Sequence, residues 1–175
     1  MNPIIEALKT RRSVRKYKPD MVPQEMIDEI IDAGLYAANG HSTQEAVVVC
    51  VTNKELRDEI SRHNCEIGGW PSDFDPLYGA PVVLIVLAPL KSGNRAYDGS
   101  LVMGNLMQAA DALGLGSCWI NRAKEEFESD WGKELLKKIG LEGEWEGVGH
   151  CIIGYPDMPK LPGAPRKPGR VIYVK

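Results

Sequence analysis

The sequence predicts a single domain in which helices alternate with short apolar strands. The chain has 175 residues, which is enough to bury a hydrophobic core within one domain. Four short apolar runs, at residues 46–52, 82–88, 117–120 and 148–153, have the length and continuity of buried strands. The segments between them carry helical spacing of apolar residues or helix-capping residues. The hydrophobic fraction of 43% and the charged fraction of 26% are those of an ordinary globular protein.

The N-terminal part of the chain predicts two helices, a strand and a third helix. Apolar residues near the N-terminus indicate a short first helix. Pro23 opens a second helix, which we expect to end at Gly40 with a left-handed cap. Residues 46–52 predict a buried strand, and Asn53 is the expected N-cap of a helix that runs through Arg62.

The middle of the chain predicts a loop followed by two helices of contrasting character. Residues 63–81 carry glycines, prolines and aromatics without a period, so we expect an irregular loop. The helix predicted over residues 97–113 is apolar on every side, which indicates a place in the core or at a subunit interface. An acidic, exposed helix is expected from Glu125 to Ile139, with Gly140 as its cap.

The C-terminal segment carries prolines at every third residue. These are Pro156, Pro159, Pro162, Pro165 and Pro168. Polyproline II has three residues per turn, so we expect an extended arm, longer than folding back on its own domain requires. The arm ends in the apolar residues 171–174, an expected strand that needs a sheet edge. We therefore divide the chain into a domain at 1–155 and an arm at 156–175.

A dense basic stretch, KTRRSVRKYK, occupies residues 9–18. It holds six basic side chains in a chain of formal net charge −3. Such a patch repels itself unless an anion lies among its guanidinium groups, and the arginine fork matches phosphate oxygens. A solvated basic turn and a nucleic-acid or nuclear-localisation patch are the alternatives. The sequence pI of about 5.7 argues against a general nucleic-acid binder.

The cysteines and the hydropathy pattern bear on compartment. Cys50, Cys65, Cys118 and Cys151 stand far apart with no CxxC pair. This spacing favours free thiols in a reducing compartment over a disulfide framework or a metal site. No signal peptide and no membrane-spanning run is recognisable, so we expect a soluble, cytoplasmic protein that acts without a membrane.

Five motifs, in this order, resemble the FMN-dependent nitroreductase family in its short form. They are RRSVRKY, YAANGHSTQ, YGAPVVLIV, ALGLGSCWI and GYP…PRKP, and together they cover nearly the whole chain. The resemblance implies an α+β fold, with a mostly antiparallel sheet flanked by helices. It also implies an intertwined homodimer with two FMN sites at its interface. Helix 97–113 would then lie at that interface, and the arm would add a strand to the partner's sheet.

The resemblance assigns the basic stretch to the flavin. Arg11 and Ser13 are expected at the pyrimidine edge and ribityl chain, Arg12 lies beside them, and Arg15 lies nearer the phosphate. A cation at the pyrimidine edge stabilises the negative charge that reduction places there. Lys16 and Lys18 are expected to be surface residues.

A second segment is implied to reach the flavin of the other subunit. Its candidate residues are Ala38, Asn39, Gly40, Ser42 and Gln44. The sequence departs from the family pattern here, because no Pro-Trp follows Gln44, and the local packing is left open. No proton-donating role is expected for His41, since reduced flavin takes protons from water.

Two further segments complete the site that the resemblance implies. After the third strand, Trp119, Ile120 and Asn121 lie where the family places backbone over the flavin and donates an N–H to N5. Within the arm, Arg166 matches the family's C-terminal phosphate-binding arginine, and Lys167 is a weaker candidate.

The implied activity is ping-pong oxidoreduction on FMN. NADH or NADPH gives hydride to FMN N5, and an electron-deficient small molecule such as a nitroaromatic or quinone then accepts it. No side chain is expected to act as a catalytic acid or base, because the cofactor carries the chemistry. A carrier or regulatory flavoprotein without turnover is the alternative, and a nucleic-acid module is a third possibility.

Overall fold

The computed structural model describes residues 2–175 and contains, over that range, six helices and four strands. In chain order they are α1 Pro3–Thr10, α2 Gln24–Leu35, β1 Val47–Val51, α3 Lys54–Gly68, β2 Val82–Pro89, α4 Arg95–Ala112, β3 Gly116–Ile120, α5 Ala123–Glu128, α6 Asp130–Lys138 and β4 Trp145–Gly154. A 3₁₀ turn at Gly40–Ser42 lies between α2 and β1.

The four strands form one antiparallel sheet in the order β1-β2-β4-β3. Every residue of β2 is buried, since β2 has a strand on each side and side chains on both faces. Within residues 2–175, β1 pairs only with β2, for example Val49 opposite Ile85, so its other edge is open there. The predicted α+β architecture with an antiparallel sheet is confirmed.

Helices cover both faces of the sheet. On one face, Val83, Ile85 and Leu87 of β2 pack in a core with residues of α3, α5 and α6. On the other face, a second core joins alternate β2 residues to side chains of α2 and α4. The two long helices approach closely because Gly34 of α2 has no side chain, and a Cβ there would lie 2.4 Å from Leu106 Cδ2.

The second helix ends five residues earlier than predicted. Backbone hydrogen bonds from Tyr36 N–H to Asp32 O and from Ala37 N–H to Gly34 O close it after Leu35. Gly40 does not adopt a positive φ and instead begins the 3₁₀ turn. The predicted left-handed cap at Gly40 is therefore wrong.

The first strand is present but is not buried as predicted. Its residues are half-buried except for the exposed Cys50 and the buried Val51. An apolar run signals a fully buried strand only if both edges and both faces are covered, and β1 is an edge strand of this chain.

The third helix is capped as predicted but is longer. Asn53 Oδ1 accepts a hydrogen bond from Leu56 N–H at 2.8 Å. The helix continues to Gly68 and ends where Gly69 takes φ +66°, so residues 63–68 do not belong to the predicted loop. Trp70 N–H donates to Cys65 O and completes the end of the helix.

The predicted acidic helix is two helices, α5 and α6. Ser129 separates them with extended backbone, and its Oγ accepts a hydrogen bond from Gly132 N–H at 3.1 Å. Gly132 lies against the Glu126 carbonyl, and a Cβ there would lie 2.2 Å from that oxygen. Glu126 and Phe127 are buried, so α5 is not the exposed helix predicted, whereas Gly140 does end α6 with φ +76°.

The arm follows its own domain at first and then extends away from it. Asp157 pairs with Lys16 at 2.7 Å, and Lys160 pairs with Asp111 at 2.8 Å. Beyond residue 163 the side chains are exposed. Residues 171–174 form no strand within the described chain, and their pairing with a partner's sheet stays a prediction, as does the division at residue 155.

Two features are absent from residues 2–175. No helix there is long and apolar enough to cross a membrane. No group of His, Cys, Asp and Glu side chains in that range could hold a metal ion.

Candidate functional site

The basic stretch is fixed along the start of β3. Ser13 forms a parallel bridge with Ser117, and Val14 N–H donates to Ser117 O at 2.9 Å. The side chain of Val14 packs on Gly116, where a Cβ would lie 2.8 Å from it. Tyr17 O–H donates to Val14 O at 2.8 Å. The backbone of the stretch is therefore ordered before any ligand binds.

Two arginines of this stretch place polar atoms in buried positions without a partner. Arg11 Nη1 and Arg12 Nε are shielded from solvent, and neither makes a hydrogen bond within residues 2–175. Arg12 Nη1 is satisfied, since it donates to Lys9 O at 2.8 Å and to Arg11 O at 2.6 Å. A buried donor without a partner costs about 1–3 kcal/mol. These two atoms are thus suited to an electron-rich or anionic ligand.

The other basic residues of the stretch are more exposed. Arg15 is exposed, and its backbone N–H lies 3.4 Å from Met158 Sδ. Lys16 is engaged with Asp157, and the hydrogen bond and charge of Lys16 hold the pKa of Asp157 below its usual range. Lys18 is exposed. The surface role predicted for the two lysines agrees with these positions.

The arm borders the arginines. A cleft of about 150 Å³ lies between the basic stretch, the end of α4 and the arm, with Ser13 and Leu161 among its lining residues. Gly163 passes so close to Arg12 that a Cβ there would lie 1.9 Å from Nη2. Arg166 and Lys167 are exposed, and the described chain does not bring them to this cleft. Their phosphate-binding role stays a prediction.

The loop between α2 and β1 is held by buried and half-buried polar groups. Asp98 of α4 is almost fully buried, and its Oδ1 accepts a hydrogen bond from Gly40 N–H at 3.0 Å. Asn39 Oδ1 accepts one from Gln44 N–H at 3.1 Å. Asn94 packs on Gly40, where a Cβ would lie 2.0 Å from Asn94 Nδ2. A larger residue at this position would require the Asn94 side chain to move.

Three residues of the same loop have left-handed backbone. His41 and Ser42 have φ +56°, and Gln44 has φ +51°. Each such conformation costs of the order of 1–3 kcal/mol for a non-glycine residue and persists only where the surroundings enforce it. Such residues cluster at functional sites, so these values mark the loop as a candidate binding element.

The loop faces a different cleft from the arginines. This second cleft, of about 270 Å³, is lined by Ala37, Asn39, Gln44 and Asp98 among others. No lining residue within 2–175 is common to the two clefts. The predicted site residues therefore fall into two groups in one chain, and Arg11, Arg12 and Ser13 do not meet the loop.

The turn after β3 follows the same strand to which the basic stretch is fixed. The Trp119 indole lies against Gly149, and its Nε1 is buried without a hydrogen-bond partner. Ile120 is buried and Asn121 is exposed. Arg122 takes φ +78°, and its guanidinium lies 4.2 Å from the centre of a Trp70 ring.

Three fully buried polar side chains beside this turn were not predicted from the sequence. Asn64 Nδ2 donates to Asn121 O at 2.8 Å and to Glu126 Oε1 at 2.7 Å. Glu126 Oε2 lies 2.8 Å from His150 Nε2, although the pair is not aligned as a regular hydrogen bond. A signal was available, because His150 interrupts an apolar strand at an inward position.

Comparison with known proteins shows which fold and which sequences this chain is similar to. A model described as the nitroreductase family matches residues 8–67. A nitroreductase from Bacteroides fragilis, solved with bound FMN, superposes with a TM-score of 0.90 over 100% of both chains at 24% identity. An FMN-dependent nitroreductase from Clostridium difficile has a TM-score of 0.79 and 27% identity, covering 98% of this chain and 99% of its own. This chain therefore has a nitroreductase-like fold, and residues 8–67 are similar in sequence to the nitroreductase family.

This chain covers only part of the length of two curated relatives. A protein from Methanothermobacter thermautotrophicus, named for NADH dehydrogenase and NAD(P)H nitroreductase activity, is 33% identical over 120 residues. That match covers 66% of this chain and only 59% of the relative. The FMN reductase [NAD(P)H] of Bacillus subtilis is 26% identical over 189 residues, which is 93% of this chain and 71% of that protein.

Proposed function

We propose that this chain is an FMN-dependent oxidoreductase that takes hydride from NADH or NADPH and reduces an electron-deficient small molecule, such as a nitroaromatic or quinone, in ping-pong fashion. The support is the match of residues 8–67 to the nitroreductase family model, the FMN-bound protein of the same fold, and the names of the curated relatives. FMN, when bound, supplies the hydride chemistry, and the protein supplies binding, orientation and charge.

The observation that carries this proposal is the pair of buried, unpartnered nitrogens on Arg11 and Arg12. The donor set fits a flavin, whose pyrimidine edge offers carbonyl and ring-nitrogen acceptors. Arg11 and Ser13 would hold that edge and the ribityl chain, with Arg12 beside them. A guanidinium at this edge favours the negatively charged, reduced form of the ring system.

Other residues would bind and orient the same group. The backbone at Trp119, Ile120 and Asn121 would border the ring, and Arg15 would lie nearer the phosphate. Arg166 would reach the phosphate from the arm, with Lys167 beside it. No catalytic acid or base is proposed, because water can supply protons at an exposed site.

We propose that the site is completed by a second copy of the chain. The two groups of site residues lie in separate clefts of one chain, so a ligand that touches both needs the loop of a partner. The loop residues contributed in this way would be Ala38, Asn39, Gly40, Ser42 and Gln44. Their strained, fixed backbone fits a binding element more readily than a free surface turn.

Exposed apolar surface supports the homodimer. Large apolar side chains are exposed on α1, on α4 and at the end of the arm: Ile4, Ile5, Leu8, Tyr97, Leu101, Val171, Ile172, Tyr173 and Val174. The open edge of β1 offers backbone groups to one more strand. Residues 171–174 of the partner's arm would supply that strand. A cytoplasmic setting fits the four free thiols.

The test is the visible spectrum of the purified protein during anaerobic titration with NADH and with NADPH. The proposal predicts a flavin spectrum with one FMN per chain, and bleaching by at least one nicotinamide. Protein that stays yellow with both donors would be a carrier or regulatory flavoprotein. Protein that takes up no FMN on reconstitution would contradict the proposal.

A further inference from the structure

We infer that Asn64 is a positioning residue for the flavin site. Held by the buried Glu126–His150 pair, it fixes the peptide between Asn121 and Arg122 so that the N–H of that peptide faces the cofactor. The inference rests on the proposed function for the identity of the ligand. The packing that carries it is independent of any ligand.

Asn64 is placed to hold the turn after β3. It lies in the last turns of α3 and is fully buried. Its Nδ2 has two hydrogens, and each has an acceptor, Asn121 O at 2.8 Å and Glu126 Oε1 at 2.7 Å. One amide group therefore joins the site turn to the first turns of α5.

Glu126 determines which way the Asn64 amide points. If the amide rotated by half a turn, Asn64 Oδ1 would face two other oxygens, Asn121 O and Glu126 Oε1, and both hydrogen bonds would be lost. His150 packs against the other carboxyl oxygen, with its Nε2 2.8 Å from Glu126 Oε2, and so limits how the carboxyl group can turn, although the two atoms are not aligned as a regular hydrogen bond. Both side chains are completely shielded from solvent, so they have no water with which to exchange these contacts.

The hydrogen bond from Asn64 to Asn121 O determines the direction of the Arg122 N–H. The peptide is trans, so its C=O and N–H point in opposite directions. The carbonyl points inward to Asn64, and the N–H of Arg122 therefore points away from the core. That N–H makes no hydrogen bond within residues 2–175, which leaves it available to a ligand.

The turn would not keep this geometry unaided. Arg122 has φ +78°, a conformation that costs a non-glycine residue of the order of 1–3 kcal/mol. The Arg122 side chain is held separately by the Trp70 ring at 4.2 Å. Asn64 and Trp70 belong to one stretch, so the end of α3 and the residues after it clamp both the backbone and the side chain of the turn.

The cost of the buried groups argues for such a role. Asn64 Oδ1 and His150 Nδ1 have no hydrogen-bond partner within the described chain, and Glu126 is a buried acid. Apolar residues of similar volume would often be as stable or more stable in such a place. Holding the strained turn at Arg122 in one conformation would explain why Asn64, Glu126 and His150 are polar in spite of this cost.

The experiment compares Asn64→Leu with Ser61→Ala by nuclear magnetic resonance and FMN titration. Asn64→Leu keeps side-chain volume and removes both donors. Ser61→Ala removes another nearly buried hydrogen bond from the same helix, to Asp75 Oδ1 at 2.6 Å, and does not touch the turn. In apo-protein we expect the order parameters of the Asn121 and Arg122 amides to fall from about 0.85 to below about 0.6 in Asn64→Leu alone.

The FMN titration separates positioning from general stability. In wild type we expect a downfield shift of the Arg122 amide proton on FMN binding. In Asn64→Leu that shift should shrink and the FMN affinity should fall about two- to tenfold, the range for one lost hydrogen bond. Ser61→Ala should keep the shift and the affinity. If Asn64→Leu does not fold, Asn64→Ala removes the same donors without adding a branched side chain, and the same results are expected.

Several results would overturn the inference. A rigid turn in the Asn64 variant would do so, as would a mobile turn with unchanged FMN affinity and amide shift. Equal effects of the Asn64 and Ser61 variants would show general destabilisation only. Wild-type protein that binds no FMN would contradict the proposed function, and the order parameters of apo-protein would still decide whether Asn64 holds the turn.

Discussion

Among individual residues, Arg11 is the strongest candidate for a direct contact with the cofactor. It is half-buried, its Nη1 has no partner within the described chain, and the backbone next to it is fixed on β3 through Ser13 and Val14. A guanidinium fixed in this way before binding loses little conformational freedom when the ligand arrives, and this improves affinity.

Replacing Arg11 should therefore weaken FMN binding without unfolding the protein. Arg11→Ala removes a charge-assisted hydrogen bond of about 1.5–3 kcal/mol, so the dissociation constant should rise about ten- to a hundredfold. The combination of Ser13→Ala with Arg15→Ala should act in the same direction. Flavin fluorescence titration measures the affinity, and circular dichroism confirms the fold. Lys18→Ala, an exposed cation of the same stretch, is the matched control, and equal losses in the two variants would contradict the assignment.

A second residue-scale prediction concerns stability and pH. Burial acts to raise the pKa of Asp75, but hydrogen bonds and charge from Arg57, with hydrogen bonds from Ser61 and Gly79, outweigh it and hold the pKa below its ordinary value. Asp75 also accepts from Leu77 N–H at 2.9 Å, so it organises the turn before β2. The ionised form is the one that the fold stabilises.

Asp75→Asn should lower the free energy of unfolding by about 1–2 kcal/mol at pH 7, the value for charged hydrogen bonds reduced for partial exposure. A lowered folded-state pKa gives stability that is present above the unfolded-state pKa of about 3.9 and is lost as the pH falls through the folded-state pKa. Urea unfolding at several pH values measures this. The difference between wild type and variant should shrink below about pH 4, and a constant difference would contradict the account.

At the scale of elements, the loop between α2 and β1 depends on α4 for its conformation. Asp98 accepts the Gly40 N–H, and Asp98→Ala leaves that donor unpaired while Asp98→Asn keeps an acceptor oxygen. We expect Asp98→Ala to weaken FMN binding about two- to tenfold and Asp98→Asn to remain near wild type. Equilibrium dialysis of both variants checks this, and an intact affinity in Asp98→Ala would show that the loop does not need this bond.

The helices and strands also show which features of the fold could be predicted from the sequence. Continuous apolar runs located all four strands, and the Asn53 and Gly140 signals located helix ends, because these are local features. The order β1-β2-β4-β3 comes from pairing between distant segments, so the exposure of β1 could not be read from its own residues. Buried Glu126 looked like part of a solvated face, since its partner His150 is 24 positions away.

The candidate site, too, has one part that the sequence predicted and another part that it did not. The density of arginines marked one half from the sequence, and in the structure that half is fixed beside β3, a position that the sequence did not predict. The support from Asp98 and Asn64 was not visible, because each residue is single and polar within an ordinary helix. Only the folded chain brings Asn64 to Asn121, 57 positions away.

At the scale of the whole molecule, one chain leaves large apolar side chains uncovered, which supports the proposed homodimer. The arm ends in four exposed apolar residues, with Tyr173 81% and Val174 94% accessible. Together with the open edge of β1 they would invite aggregation in a monomer. A second copy that takes the arm would cover both features at once.

Truncation after Tyr155 should therefore cost both the dimer and the flavin. It removes the proline-rich arm, Arg166 and residues 171–174. Light scattering should show monomers or aggregates, and absorbance should show little retained FMN. A yellow, dimeric truncated protein would show that the arm has neither role. Arg166→Ala separates the two effects, since it should leave the dimer intact and weaken FMN binding about ten- to a hundredfold.

The central claim is that each cofactor site is assembled from two copies of the chain, and mixed dimers test it most directly. One copy carries Arg11→Ala, and the other carries Asn39→Ala with Gln44→Ala. If the two halves come from different subunits, a mixed dimer has one intact site and one doubly damaged site.

The measurement is FMN stoichiometry of purified mixed dimers, obtained with two affinity tags. We predict one tightly bound FMN per mixed dimer, at wild-type affinity, although each parent homodimer binds FMN weakly. Weak binding at both sites of the mixed dimer, as in the parents, would place both halves of the site in one chain and contradict the account.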